Sequence, residues 1–199
     1  YKISGSVITI TDAIMVEYNG TVKRYTVVGK LSYNDKENTL STMPVIKLGS
    51  TVYIPAEEVF QNLIGIDYNY DSARRILTLK NQATQKQVEL TLNQNKITVD
   101  GVEKTLSTPM YMITRKDTKK TVLCVPAKTV ARNLGYSYNW DKTKSLVSVH
   151  DLIYFDWKSD KPVTNDINTN YITEAKATYN PDIKCISFEI KGSNATIMD

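Results

Sequence analysis

Two cysteines, Cys124 and Cys185, and one histidine, His150, are the obvious candidates for nucleophilic chemistry in this 199-residue chain. A thiolate with imidazole as its base would need Cys124 beside His150. Cys124 lies inside the apolar run "VLCVP" and His150 closes another, "SLVSVH", so burial is the expected role of both. A hydrolytic zinc site takes three protein ligands and keeps one position open, and one histidine is too few for a His/Glu ligand set. Asp71, Asp141, Asp156 and Asp160 could share a calcium ion, but their spacing matches no compact loop. Turn or linker duty is expected of them. No GxSxG, HExxH, phosphate loop or GxGxxG occurs. The expectation is a chain with no catalytic residue, no cofactor and no metal. The cysteines are 185 − 124 = 61 residues apart, without a CxxC; two free thiols are the simpler reading, and an exported protein leaves a disulfide open.

The elements around these residues are written twice. "VYIPAEEVFQNLIGIDYNYDSARRILTL" and "VLCVPAKTVARNLGYSYNWDKTKSLVSV" each run from a strand through a proline (Pro55, Pro126) into a helical pattern. Apolar residues follow at +4, +5 and +8: Val59, Phe60, Leu63 and Val130, Ala131, Leu134. That spacing makes one face of a short helix. Proline suits its first position, and Gly65 and Gly135 suit its end. The first copy carries one extra residue, Ile64. After each glycine two alternating strands flank a polar turn, "DSAR" or "DKTK", where Asp71 and Asp141 should cap the turn. Upstream, Asn19-Gly20 and Asp100-Gly101 signal hairpins. The expected fold is α+β, mainly β: two pseudo-symmetric hairpin–strand–helix–hairpin repeats, about 15–81 and 96–151, packed together. Residues 28–40 read as an insertion in copy one. Val59, Phe60, Leu63, Tyr70, Val130, Leu134 and Trp140 are the expected core, and Trp140→Ala should cost about 3–5 kcal/mol. Domain one spans 1–151; residues 152–170 read as a linker and 171–199 as a β-hairpin.

Net charge is 25 − 21 = +4, with the basic residues scattered. That excludes a nucleic-acid footprint, and no apolar run is long enough to span a membrane. The chain opens at Tyr1, as expected of a processed N-terminus. Thirteen tyrosines against three phenylalanines suit half-exposed strands or a contact surface. The contact candidates are Tyr111, Tyr136 and the loop cluster Arg115, Lys116, Lys119 and Lys120.

"VPAKTVARNLGYSYNWDKTKSLVSV", with "ITVDGVEKTLSTPMYM" before it, closely resembles the copper amine oxidase-like N-terminal domain, or stalk domain. Copy one departs from it with Tyr70 for the tryptophan and "IP" for "VP". "YITEAKATYNPDIKCISFEIKG" is similar to the start of an AMIN domain, a β-sandwich of envelope targeting. The resemblance implies a non-catalytic, extracellular module of a bacterial wall-associated protein, as found in N-acetylmuramoyl-L-alanine amidases. Its implied partner is peptidoglycan or the anionic wall polymers; the alternative is a passive spacer or protein-interaction stalk. The catalytic domain of copper amine oxidases matures a quinone from a tyrosine in Asn-Tyr-Asp/Glu-Tyr. Asn69-Tyr70-Asp71 is similar, but Ser72 replaces the last tyrosine and the second copy reads Asn139-Trp140-Asp141. A tryptophan cannot become that quinone, so a packing and turn role is expected.

Overall fold

The computed structural model describes residues 2–4, 7–9, 14–25, 29–165, 168–180 and 185–193. The chain forms two units, Tyr1–His150 and Asp151–Asp199. Among the described residues the fold is mainly β, with two short helices.

In chain order the first unit opens with β1 (Lys2–Ser4), β2 (Val7–Thr9), β3 (Ile14–Tyr18), β4 (Thr21–Tyr25), β5 (Lys30–Tyr33) and β6 (Lys36–Asn38). Then come β7 (Ile46–Leu48), β8 (Thr51–Pro55), a helix at Glu57–Ile64, β9 (Asp67–Asp71) and β10 (Ile76–Asn81). Next are β11 (Lys86–Thr91), β12 (Lys96–Val99) and β13 (Val102–Thr105). The second copy continues with β14 (Tyr111–Arg115), β15 (Thr121–Pro126), α1 (Ala127–Asn133), β16 (Tyr136–Asp141) and β17 (Leu146–Asp151). The second unit holds β18 (Ile153–Asn165), β19 (Asn168–Asn180) and β20 (Cys185–Ser193), one antiparallel sheet. Residues 152–170, expected to be a linker, therefore contain a paired strand. Residues 181–184 lie outside the described residues.

Beside the antiparallel pair β1-β2, three larger sheets build the first unit among the described residues. One is a six-stranded sheet in the order β4-β3-β14-β15-β8-β7; one is the meander β13-β12-β11-β10-β9; the third is β16-β17-β5-β6, where β17 meets β5 in parallel. The six-stranded sheet joins the two copies through β8 and β15, pairing Tyr53 with Pro126, Ile54 with Val125 and Pro55 with Cys124. Aligned from their prolines, the copies match Tyr53 to Cys124, Ile54 to Val125 and Pro55 to Pro126. Exchanging the copies therefore returns the same register.

Both strands are buried on both faces, which is why "VYIP" and "VLCVP" read as continuous apolar runs. Val52, Ile54, Leu123 and Val125 point into the main core, with Val59, Phe60, Leu77, Leu90, Val130 and Val147. Tyr53 and Cys124 point the other way, into a second cluster with Val16, Ile46 and Ile113. Val59, Phe60, Val130 and Leu134 are fully buried, as the periodicity predicts, whereas Leu63, Tyr70 and Trp140 are only half-buried.

Asn19-Gly20 and Asp100-Gly101 make the expected hairpin turns, both residues of each pair at positive φ. A third turn of this kind joins β5 to β6 at Asn34 and Asp35 (φ 46° and 64°). Residues 28–40 are thus no plain insertion. At an offset of 107 − 41 = 66, "LSYNDKENTLST" lies over "ITVDGVEKTLST", sharing the glutamate and Thr-Leu-Ser-Thr.

The extra residue of copy one has a structural outcome. Glu57–Ile64 is a π-helix of 8 residues, where α1 has 7 residues of ordinary α-helix. A wider turn absorbs one inserted residue without moving the ends. Gly65 (φ 84°) closes it with a left-handed cap one residue wider than a Schellman motif: the Gly65 amide donates to the Gln61 carbonyl at 3.1 Å and the Ile66 amide to the Phe60 carbonyl at 2.9 Å. Pro55 and Pro126 fall two residues and one residue ahead of the first helical position, as the last residues of β8 and β15. At Pro126 ψ is 103°, which is extended rather than helical.

Candidate functional site

Where β8 begins, the loop after β13, α1 and β16 enclose a groove of about 390 Å³, within the size range of small-ligand sites. Lys128 and Arg132 stand one turn apart on the exposed face of α1 and line it together. Neither cation forms an ion pair among the described residues, and no carboxylate lines the groove. Trp140 borders it, partly buried against the core, and the buried Tyr138 of the same strand lines it too. Burial pushes the Tyr138 phenol up to about 12, with the nearby Arg132 charge opposing it. Thr51, Ser107 and Thr129 add hydroxyls.

The corresponding place in copy one is filled from within. Glu58 matches Thr129, and the loop at 41–42 matches that at 107–108. The Thr42 amide donates to Glu58 Oε2 at 2.9 Å; the Ser41 amide and the Thr42 hydroxyl donate to the same carboxylate. Partial burial works against the charged form of Glu58. The hydrogen bonds from Thr42 and Ser41 outweigh it and hold the carboxyl below its ordinary range. In copy two the Ser107 and Thr108 amides meet no acceptor among the described residues.

The contact candidates read from the sequence do not converge. Tyr136 is 6 % exposed and belongs to the main core, so it is withdrawn as a surface residue. Tyr111 packs beside Tyr18 and Tyr53, ring centroids 5.3 and 5.7 Å away. Arg115 is held by Asp117 at 2.6 Å and Lys116 by Glu17 at 2.6 Å. Lys119 and Lys120 are exposed. The sequence reading missed the groove because it assigned Trp140 wholly to the core. The available signal was the helix face itself, Lys128 and Arg132 where copy one has Glu57 and Gln61.

Cys124 is fully buried as a free thiol, and burial raises it far above its ordinary range. Such a thiol is a poor nucleophile. His150 is also buried, its Nε2 3.0 Å from Asp35 Oδ1 and its Nδ1 3.5 Å from Ser137 Oγ. The order Ser–His–Asp invites comparison with a hydrolase triad. Ser137, however, is only 4 % exposed and sits equally far, 3.5 Å, from the His150 carbonyl. A hydroxyl so enclosed and so loosely held cannot meet a substrate. Among the described residues no group of three or more His, Cys, Asp or Glu could hold a metal.

The sequence profile of the copper amine oxidase N-terminal domain matches residues 32–148. The chain belongs to that family. No curated protein and no solved structure matches it. The copper amine oxidase N-terminal domain is a non-catalytic accessory domain, and the Asn69-Tyr70-Asp71 and Asn139-Trp140-Asp141 segments of this member are architectural. Asp71 Oδ1 accepts the Ala73 and Arg74 amides at 3.0 and 2.9 Å; Asp141 Oδ1 accepts those of Thr143 and Lys144, both at 2.9 Å. Asn81 does the same for Ala83 and Thr84 after β10. Each turn then ends at a residue of positive φ, Arg75, Ser145 or Gln85.

Proposed function

We propose that this chain is a non-catalytic, extracellular anchoring module of a bacterial cell-wall protein of the N-acetylmuramoyl-L-alanine amidase type. It holds that protein on peptidoglycan or its anionic polymers. The observation that carries this reading is the groove lined by Lys128, Arg132 and Trp140 and free of carboxylates. Wall polymers are rich in negative charge and in sugar rings, and this lining offers cations beside an aromatic edge. Net charge of +4 adds weak long-range attraction. The similarity of residues 171–199 to the start of an AMIN domain supports the envelope setting. The two copies act as one pseudo-symmetric body, a reading supported by the exchangeable register of β8 and β15.

The test is co-sedimentation with purified Gram-positive walls, before and after removal of their anionic polymers, over a salt series. Retention on stripped walls at high salt is expected of a peptidoglycan site. Loss with the polymers or at moderate salt would reduce the interaction to charge attraction. No retention would favour a spacer or protein-interaction stalk.

A further inference from the structure

We infer that the groove of the second copy takes a carboxylate-bearing saccharide, and that the first copy carries an internal stand-in for that carboxylate. The inference rests on the wall-polymer reading above and names the ligand class of its site. In copy one the Glu58 carboxylate occupies the cradle made by the Ser41 and Thr42 amides and the Thr42 hydroxyl. Copy two repeats the Ser-Thr loop at 107–108 but has Thr129 where Glu58 would be. Its two amides meet no acceptor among the described residues, while the Thr108 hydroxyl donates to Thr51 Oγ1 at 3.2 Å, beside a groove lined by Thr51, Ser107 and Thr129.

The surroundings change sign with the filling. Copy one has Glu57 before its internal acid, whereas copy two has Lys128 at that position and adds Arg132 one turn later. Both cations face the groove without an ion pair among the described residues. A planar carboxylate suits two adjacent amides and a guanidinium fork. Trp140 offers an apolar, polarisable edge at the other side. A sugar ring presents a C–H face to such a ring and hydroxyls to Thr51 and Ser107. The acid end and the stacking end together specify a carboxylated sugar.

Titration calorimetry of the 199-residue chain with a short oligogalacturonate tests this, with a neutral galactose oligomer and an oligoglutamate as comparisons. Binding to the oligogalacturonate is expected, with the neutral oligomer weaker by about tenfold or more. Thr129→Glu writes the acid of copy one into copy two and should abolish binding while melting like the parent. Lys128→Gln with Arg132→Gln, both exposed positions, should weaken it by about tenfold or more; Lys119→Gln with Lys120→Gln should leave it unchanged. Equal binding by the parent and Thr129→Glu, or by the parent and the double variant, overturns the inference. Preference for oligoglutamate overturns the saccharide class in favour of an acidic peptide. Sedimentation of the same variants with walls separates the two readings. Walls retained equally by parent and Thr129→Glu sink the groove and leave the wall reading standing. Oligogalacturonate bound through the groove by a chain that ignores walls does the reverse.

Discussion

Glu58 ties the π-helix to the loop at 41–42 through one carboxylate and three donors. Hydrogen bonds to a charged acceptor are worth more than neutral ones, so Glu58→Ala should lower stability by about 2 kcal/mol in urea denaturation at neutral pH. The pH dependence follows from the lowered carboxyl. A group bound more tightly when ionised stabilises the fold above its unfolded value, about 4.3. That contribution is lost as pH falls through the lower folded value. Melting temperatures between about pH 6 and pH 3 should therefore fall less steeply for Glu58→Gln than for the parent. An identical slope would remove Glu58 from this role. Asp71 and Asp141 act more locally, each organising its own four-residue turn, and these roles were legible from residue type and position alone. Trp140 was not so legible. Its half-buried ring lowers the expected cost of Trp140→Ala to about 1–2 kcal/mol, since only part of its area leaves water.

At the scale of elements, the two helices show how one residue is accommodated. Pro55 and Gly65 are ten positions apart and Pro126 and Gly135 nine, yet both helices run from strand end to left-handed glycine. The π-turn of copy one takes up the difference. Deleting Ile64 should convert Glu57–Ile64 to an α-helix at a change of no more than about 1 kcal/mol. The amide NOE pattern would report i to i+4 spacing. Loss of the fold, or a persistent π pattern, would show that the wide turn has another cause. Gly135 illustrates a different demand. It has φ of 88°, and a Cβ there would lie 2.9 Å from Thr84 Cγ2. Thr84 and Asn81 approach because both donate to the Leu134 carbonyl, at 3.0 and 2.9 Å, so the turn after β10 closes the end of α1. The hairpin at Asn34-Asp35 escaped the sequence reading because its turn lacks glycine. Asparagine and aspartate reach the same positive φ through local side-chain compensation.

For the repeat unit as a whole, the decisive contact is the strand pair that crosses the copies. Ile54 and Val125 face each other at the centre of that pair, and both are fully buried. Ile54→Ala should cost about 3 kcal/mol and Val125→Ala about 2 kcal/mol. Because main-core residues come from both copies, each change should lower one shared calorimetric transition rather than split it. Two transitions, one per copy, would contradict the shared core.

The amino-acid order by itself determined the short-range features. These are the turns capped by Asp71 and Asp141, the helices between proline and glycine, the buried Cys124 and the mainly β character. Local conformational preference and hydrophobic period are properties of neighbouring residues, so they are written where they act. Only the tertiary structure decided which strands meet across the copies, that residues 30–38 form a hairpin, that Tyr136 is core and that Lys128, Arg132 and Trp140 share a groove. Those outcomes depend on contacts between residues far apart in sequence, and no local pattern carries them. The unfilled pair of amides at residues 107–108 belongs to the same class. It becomes visible only when the filled cradle at residues 41–42 shows what occupies that place.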